Sequence, residues 1–286
     1  MRSNCFHGGR LGTAFLVVLA LALFLVVDAA QAQSTRLLRQ PTISSDLLVF
    51  AYAGELWQAD LDGGDARRLT SFEGVASDPA ISPDGRLVAF SGRYKGQTDV
   101  YVVPIEGGTP RRLSWHPGND IVQGWSPDGS QIVFSSNRDS APPNYTRFWT
   151  VSLDGGMASA LAIPRGHNGR FSPDGRRFVY QPIQRWQEHW RGYRGGQTHP
   201  LWILDLDDYD LTEVPWAGSI DTDPVWVDNT IYFRSDRSGG VMNVHAYDLR
   251  TGSVSQLTEH TDLDVKSLAA SGQTVVYEQA GRLHRL

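Results

Sequence analysis

Apolar residues recur along the chain in short runs of three or four, bounded by Gly, Asp or Pro. Many of these runs lead to an aliphatic residue that is followed eight positions later by a second one. Turn-forming residues such as Asp62-Gly63-Gly64 separate the two anchors, which predicts an antiparallel hairpin. The five anchor pairs are Leu61 with Leu69, Ile105 with Leu113, Leu153 with Leu161, Leu206 with Val214, and Leu249 with Leu257.

A four-residue motif, Ser-Pro-Asp-Gly, occurs at 82–85, 126–129 and 172–175, with spacings of 44 and 46 residues. Each copy precedes a short apolar run, so the Pro and the Asp-Gly pair predict a turn into a strand. Repeats of about 40 to 45 residues with four short strands are typical of propeller blades. The sequence therefore predicts an all-β protein, a six-bladed β-propeller of four-stranded antiparallel blades.

The predicted blades cover about residues 36–71, 75–115, 120–163, 167–215, 220–259 and 264–286. The last blade is expected to be incomplete, because its repeat stops before a fourth strand. The N-terminal segment already forms the first strand of the first blade, so no extra strand is expected there to complete the last blade. An unpaired third strand presents a free hydrogen-bonding edge and is expected to favour association with another chain.

Residues 1–32 have the pattern of a secretory signal peptide, with Arg2 and Arg10 before an apolar run and Ala30-Gln31-Ala32 as the cleavage site. The run from 14 to 27 is shorter than the roughly 20 residues of a spanning helix, which favours cleavage over the alternative of an uncleaved anchor. A periplasmic or secreted location is predicted, without a membrane span after cleavage. Cys5 is the only cysteine and would be lost with the signal, so no disulfide is expected in the mature protein.

Composition, charge and the lack of known catalytic or metal-binding motifs argue against several classes of function. The net charge of −5 argues against a nucleic-acid partner, which would need a basic face. No Gly-x-Ser-x-Gly elbow is present, and the histidines lack metal-ligand spacing. We therefore expect no metal, no cofactor and no catalytic residue in this chain. The paired arginines 67–68 and 111–112 are expected on solvated faces of outermost strands.

Tandem Ser-Pro-Asp-Gly blades resemble the WD40-type PD40 repeats of the TolB and tricorn protease families. The resemblance to tricorn proteases is more specific in the fourth blade, where 186–196 reads Trp-Gln-Glu-His-Trp-Arg-Gly-Tyr-Arg-Gly-Gly. The segments 37–41 and 55–57 also resemble the start of mature tricorn, and the similarity covers about residues 36–286.

The resemblance implies a role but no catalysis. Tricorn proteases are multi-domain serine peptidases of the S41 type that trim oligopeptides, and their catalytic serine, histidine and glutamate lie downstream of the matched region. This chain is accordingly expected to be the non-catalytic N-terminal propeller of an exported tricorn-like peptidase. It would guide or filter oligopeptide substrates and pack against the peptidase domains, and a homo-oligomer is left open. The alternative is a free-standing periplasmic TolB-like propeller that mediates protein–protein interaction.

The insertion from 184 to 200 is the best candidate for peptide contact, because it combines cationic and aromatic side chains that bind carboxylates and apolar groups. A structural alternative is that the insertion folds over the blade edge or packs against another domain. The candidate peptide-binding residues are Arg185, Trp186, Trp190, Arg191, Tyr193 and Arg194.

Overall fold

The computed structural model describes residues 37–141, 145–184 and 190–286. The predicted signal peptide, Cys5, Arg185 and Trp186 lie outside these described residues. In the described part of the chain, no helix is long and apolar enough to cross a membrane.

Six antiparallel sheets follow one another along the chain, which confirms the predicted six-bladed propeller. Within the described residues, five of these sheets have four strands and the last has three, which agrees with the expectation of an incomplete sixth blade. Blade 1 contains β1 (Arg39–Ile43), β2 (Leu47–Tyr52), β3 (Glu55–Asp60) and β4 (Arg67–Arg68); blade 2 contains β5 (Val75–Ile81), β6 (Leu87–Lys95), β7 (Gln97–Pro104) and β8 (Arg111–Arg112); blade 3 contains β9 (Asp120–Trp125), β10 (Gln131–Ser136), β11 (Arg147–Ser152) and β12 (Ser159–Ala160). Blade 4 contains β13 (His167–Phe171), β14 (Arg177–Gln181), β15 (Trp202–Asp205) and β16 (Leu211–Glu213); blade 5 contains β17 (Asp221–Val227), β18 (Thr230–Ser235), β19 (Asn243–Asp248) and β20 (Ser253–Gln256); blade 6 contains β21 (Val265–Ser271), β22 (Thr274–Gln279) and β23 (Arg282–Arg285).

The Ser-Pro-Asp-Gly motif forms the turn between the first and second strands. In blade 2, the hydroxyl of Ser82 donates to Asp84 Oδ1 at 2.6 Å and accepts from the amide of Leu87 at 2.9 Å. Gly85 closes the turn at φ 74°, in the left-handed region that favours glycine. The same contacts recur in the turns of blades 3 and 4. The motif is therefore a local device that fixes the hairpin register.

Each blade buries both of its faces, which explains why the second strands are continuous apolar runs. One cluster of buried residues fills each of the six interfaces between neighbouring blades, including the interface between blade 6 and blade 1. Phe90, Phe134 and Phe233 lie on second strands and are fully buried, and each contributes about 1.5–3 kcal/mol of transfer free energy.

The ring closes between blades 6 and 1 without a shared sheet. The amide of Leu38 donates to the carbonyl of Gly281 at 3.1 Å, and the amide of Gln40 donates to Glu278 Oε2 at 3.1 Å. Apolar packing of Ile43 against Val276 completes the contact. The first strands of all six blades thus surround a central axis, and their polar residues line the axial channel.

Candidate functional site at the channel mouth

All six innermost strands have a register shift against the neighbouring strand, and four of them share the same kind of β-bulge. The extra residue has a positive φ in each case, between 44° and 52°, a conformation that Asn and Asp tolerate better than most residues. Proline follows it in three of the four strands, where a missing N–H costs no ladder bond. The bulge turns a polar side chain toward the axis instead of into a blade interface. The four bulge residues are Gln40, Asp78, Asn168 and Asp223.

The bulge residues pair across neighbouring blades. The Gln40 amide donates to Asp78 Oδ1 at 2.7 Å, and the Asn168 amide donates to Asp223 Oδ1. Arg234 donates to the other oxygen of Asp223. Burial raises the pKa of Asp78, against the hydrogen bonds from serine hydroxyls that favour its ionised form. The channel therefore contains two carboxylates, each held by an amide from the preceding blade.

Arg170 of β13 lies between these carboxylates. Its Cδ lies close to Gly124 of β9, where a Cβ would sit 3.4 Å away, so the glycine leaves room for the arginine stem. Burial lowers the pKa of Arg170 to about 10, and the charges of Asp223 and Asp78 partly offset this. Among the residues that the structure describes, Arg170 forms no ion pair within 4.0 Å. A guanidinium that remains charged at neutral pH is thus held in the channel without a carboxylate in direct contact.

The described part of the blade 4 insertion lies over blades 5 and 6. Arg194 Nη1 donates to Asp236 Oδ2 at 2.8 Å, and Arg191 Nε donates to Asp264 Oδ2 at 3.1 Å. Asp236 is fixed a second time by the amide of Ile220 at 2.8 Å. These contacts hold the insertion beside the channel mouth.

A small cavity of about 60 Å³ separates the insertion from the innermost strands. Its walls include Asn168 and Asp223 of the bulges, Trp190 and Arg191 of the insertion, and Lys266 of β21. Burial opposes ionisation of Asp264, but the amide of Met242 together with Arg191 and Lys266 holds the pKa of its carboxyl below its ordinary value. The mouth is therefore polar, with both signs of charge and an indole on one side.

The predicted peptide-contact residues fall into three groups in the structure. Arg191 and Arg194 pair with carboxylates of the same chain, which agrees with a role in fixing the insertion. Trp190 is half exposed, and its ring lies 5.9 Å from that of Tyr193. Arg185 and Trp186 lie outside the described residues, so peptide contact by the six residues stays a prediction.

Asp78, Asp223 and Arg170 were not among the predicted site residues. A signal was present, since Gln40-Pro41, Asp78-Pro79 and Asp223-Pro224 are polar-proline pairs at one position of the repeat. Arg170 had no such signal, because only the meeting of different blades places it beside the carboxylates.

Residues 35–286 match the family described as the tricorn protease N-terminal beta propeller domain. Tricorn protease homolog 1 of Streptomyces coelicolor is 32% identical over 268 residues, which cover 91% of this chain and 24% of that protein. Tricorn protease of Thermoplasma acidophilum is 27% identical over 257 residues, covering 87% of this chain and 24% of that protein. The chain thus spans about a quarter of the length of these relatives.

Solved structures show the same fold. The crystal structure of the tricorn protease superposes with a TM-score of 0.77 at 26% identity, covering 88% of this chain and 25% of that one. The putative TolB from Agrobacterium tumefaciens superposes with a TM-score of 0.64 at 21% identity, covering 86% and 83% of the two chains.

Proposed function

Because the chain belongs to the family of tricorn protease N-terminal β-propeller domains, we propose that it is the non-catalytic propeller of an exported tricorn-like serine peptidase. In this role it guides or filters oligopeptides and packs against the peptidase domains. The chain covers about a quarter of its relatives, which is consistent with a propeller without the catalytic part. A periplasmic or secreted location belongs to the same proposal.

One observation carries the proposal: the described part of the tricorn-like segment, residues 190–196, lies at the mouth of the axial channel. Arg191 and Arg194 hold this insertion against blades 5 and 6, and Trp190 borders the cavity beneath it. An insertion in this place controls what enters the channel from that face. A structural tie at the outer rim of a blade would not have this effect.

The channel chemistry suits peptides of mixed sequence. Asp78 and Asp223 offer acceptors for amide groups and ammonium ions, while Arg170 offers a charged donor for peptide carboxylates. The side-chain amides of Gln40 and Asn168 already donate hydrogen bonds to Asp78 and Asp223, so the polar groups that line the channel are held in place before a peptide binds. A peptide would meet polar groups of both signs, which favours passage or weak docking over tight, sequence-specific binding.

The test places an environment-sensitive fluorophore at the mouth and titrates oligopeptides of five to eight residues. Lys266→Cys, in a Cys5→Ser background, labels an exposed position on the cavity wall. The matched control is Ser159→Cys on the exposed outer strand β12. We expect a saturable response at position 266 and none at 159. We also expect Arg170→Gln to weaken binding of peptides with a free carboxylate about tenfold, and of amidated peptides much less.

A null result at both labels, or the same response at both, would contradict the proposal. The free-standing TolB-like alternative predicts a different outcome. Under that alternative, affinity capture from envelope extracts recovers one stoichiometric protein partner, and that partner contains no peptidase domain.

A further inference from the structure

A groove of about 640 Å³ lies between blades 3 and 4, apart from the cavity at the channel mouth. Its walls come from the connections that follow the second strands of the two blades and from the connection that joins β12 to β13. Tyr145, Tyr180 and Trp202 supply aromatic surface, and Arg147 and Arg165 supply positive charge. The groove therefore combines aromatic walls with two guanidinium groups.

The aromatic wall belongs to a pattern that all six blades share. In each blade, an aromatic ring of the second strand lies directly opposite a ring of the third strand. In blade 4 the two rings meet edge to face, with their centroids 6.0 Å apart. The six pairs are Phe50 with Trp57, Phe90 with Tyr101, Phe134 with Trp149, Tyr180 with Trp202, Phe233 with His245, and Tyr277 with His284.

Blades 3 and 5 add an arginine and a carboxylate to this pair. In blade 5 the guanidinium carbon of Arg237 lies 5.1 Å from the centroid of the Phe233 ring, and Arg237 Nη2 donates to Asp221 Oδ2 at 2.7 Å. Arg138 and Asp120 form the same arrangement in blade 3. Both carboxylates are buried. An aromatic pair, a guanidinium and a carboxylate thus form one unit in these two blades.

Blade 4 has neither the arginine nor the carboxylate at the corresponding positions. Gly166 and Pro182 occupy the two positions that pair as aspartate and serine in blades 3 and 5, and Gln184 replaces the arginine. A Cβ at Gly166 would overlap the ring of Phe148, so this position has no room for an aspartate. The aromatic pair of blade 4 is therefore left uncovered, which opens the groove.

Two arginines from blade 3 and from the connection to blade 4 border this open pair. The guanidinium carbon of Arg165 lies 5.1 Å from the centroid of the Tyr145 ring, and that of Arg147 lies 5.9 Å from the Trp149 ring. Among the described residues, neither arginine forms an ion pair. Burial raises the pKa of Tyr180 to about 12, and the positive charge of Arg165 opposes this rise. Compared with the units of blades 3 and 5, the group that is missing here is the carboxylate.

We propose that the groove binds the acidic side chain of a peptide, whose carboxylate pairs with Arg147 and Arg165 while apolar residues beside it pack on the aromatic walls. Arginine and carboxylate form strong, charge-assisted hydrogen bonds, and the rings add apolar contact area. Asp139 also lines the groove, but one negative charge does not balance two positive ones. The site is separate from the axial channel, so this inference does not depend on the proposed function.

The lining favours a side-chain carboxylate over the carboxylate of a chain terminus. Terminal carboxylates are typically captured by several backbone N–H groups that point to one place. Pro164 and Pro182 of the lining have no backbone N–H. The donors of the groove are instead long side chains that come from different connections, and these can reach a carboxylate at the end of a flexible side chain.

The test is a calorimetric titration of the full chain with two acetylated and amidated pentapeptides, Ala-Phe-Glu-Phe-Ala and Ala-Phe-Gln-Phe-Ala. We expect saturable binding of the glutamate peptide and about tenfold weaker binding of the glutamine peptide. Arg165→Gln should weaken binding of the glutamate peptide about tenfold and abolish the preference between the two peptides. The matched control is Arg93→Gln, which changes an exposed arginine of blade 2 and alters the net charge equally. This control should leave both affinities unchanged.

No binding, equal binding of the two peptides, or equal effects of Arg165→Gln and Arg93→Gln would overturn the proposal. Tight binding of the glutamine peptide once its C-terminus is a free carboxylate would also overturn it, because the site would then recognise a chain terminus. Loss of binding in Arg170→Gln but not in Arg165→Gln would place the peptide in the axial channel. That result would contradict this inference and leave the proposed function intact.

Discussion

The ion pair between Arg194 and Asp236 should contribute several times more to the free energy of unfolding than an ordinary surface ion pair does. The Asp236 side chain is 1% exposed, and Arg194 is 43% exposed. Removing one partner of a fully buried pair costs about 3–5 kcal/mol, whereas an exposed pair contributes about 0–1 kcal/mol. Water can reach Asp236 after Arg194→Ala, and the Ile220 amide remains, so we expect a loss of about 2 kcal/mol.

Urea denaturation at neutral pH measures this loss. With a slope of about 3 kcal/mol per molar, the midpoint should fall by about 0.7 M. A double-mutant cycle with Asp236→Ala should give a coupling energy of about 1–2 kcal/mol. Hydrogen exchange should also accelerate in residues 190–200, because the tie that holds the insertion is gone.

The control is Arg176→Ala, which removes an exposed pair with Asp207 on the opposite face of the propeller. Both side chains of that pair are about two-thirds exposed, so the expected cost is about 0.5 kcal/mol or less. Equal costs for the two arginine variants, or an unchanged exchange rate in the insertion, would refute the reasoning that the buried carboxylate makes the difference.

Three further predictions concern the scaffold. Phe134→Ala should lower the free energy of unfolding by about 3–5 kcal/mol, because the ring is fully buried between blades; calorimetry and urea titration measure it. Ser172→Ala should cost about 1–2 kcal/mol, since the hydroxyl accepts from the amide of Arg177 at 2.9 Å; a cost near zero would show that the turn does not need it. Burial lowers the pKa of His245 to about 4, so the unfolded chain binds a proton that the folded chain does not. The contribution of this residue to stability is present above about pH 6.5 and is lost as the pH falls toward 4; His245→Phe should flatten that dependence between pH 7 and 5, and an unchanged slope would contradict it.

The fold followed from the sequence because its signals are local. Aliphatic anchors eight residues apart and Ser-Pro-Asp-Gly turns act within a single hairpin, so their pattern can be recognised directly in the amino-acid sequence. The burial of His245 follows the same repeat, since packed aromatics such as Trp149 occupy that position in other blades. His245 is 1% exposed and lies against Phe233.

The site was harder to predict from the sequence than the fold, because its contacts join residues of different blades. Arg170 meets Asp78 and Asp223 only after the ring has closed. Arg112 was missed for a different reason, because its partner lies on the neighbouring strand of the same blade. A solvated position was expected, but its side chain is 19% exposed and bonds to the buried Asp99 at 2.8 Å. A charged residue on an outer strand has no sequence signal for such a partner, because the ladder fixes backbone register and not the reach of a long side chain.

The contact between blades 6 and 1 has a mechanical consequence. Every other pair of neighbouring blades is joined by a continuous backbone, whereas this pair is held by hydrogen bonds at Leu38 and Gln40, the Arg285 ion pair and a small apolar cluster. Local opening of the propeller should therefore begin at this contact, as a partial separation of blade 6 from blade 1 that leaves the other interfaces between blades intact. A circular permutant that joins these two blades covalently and places its termini elsewhere would move the weak point to the new break.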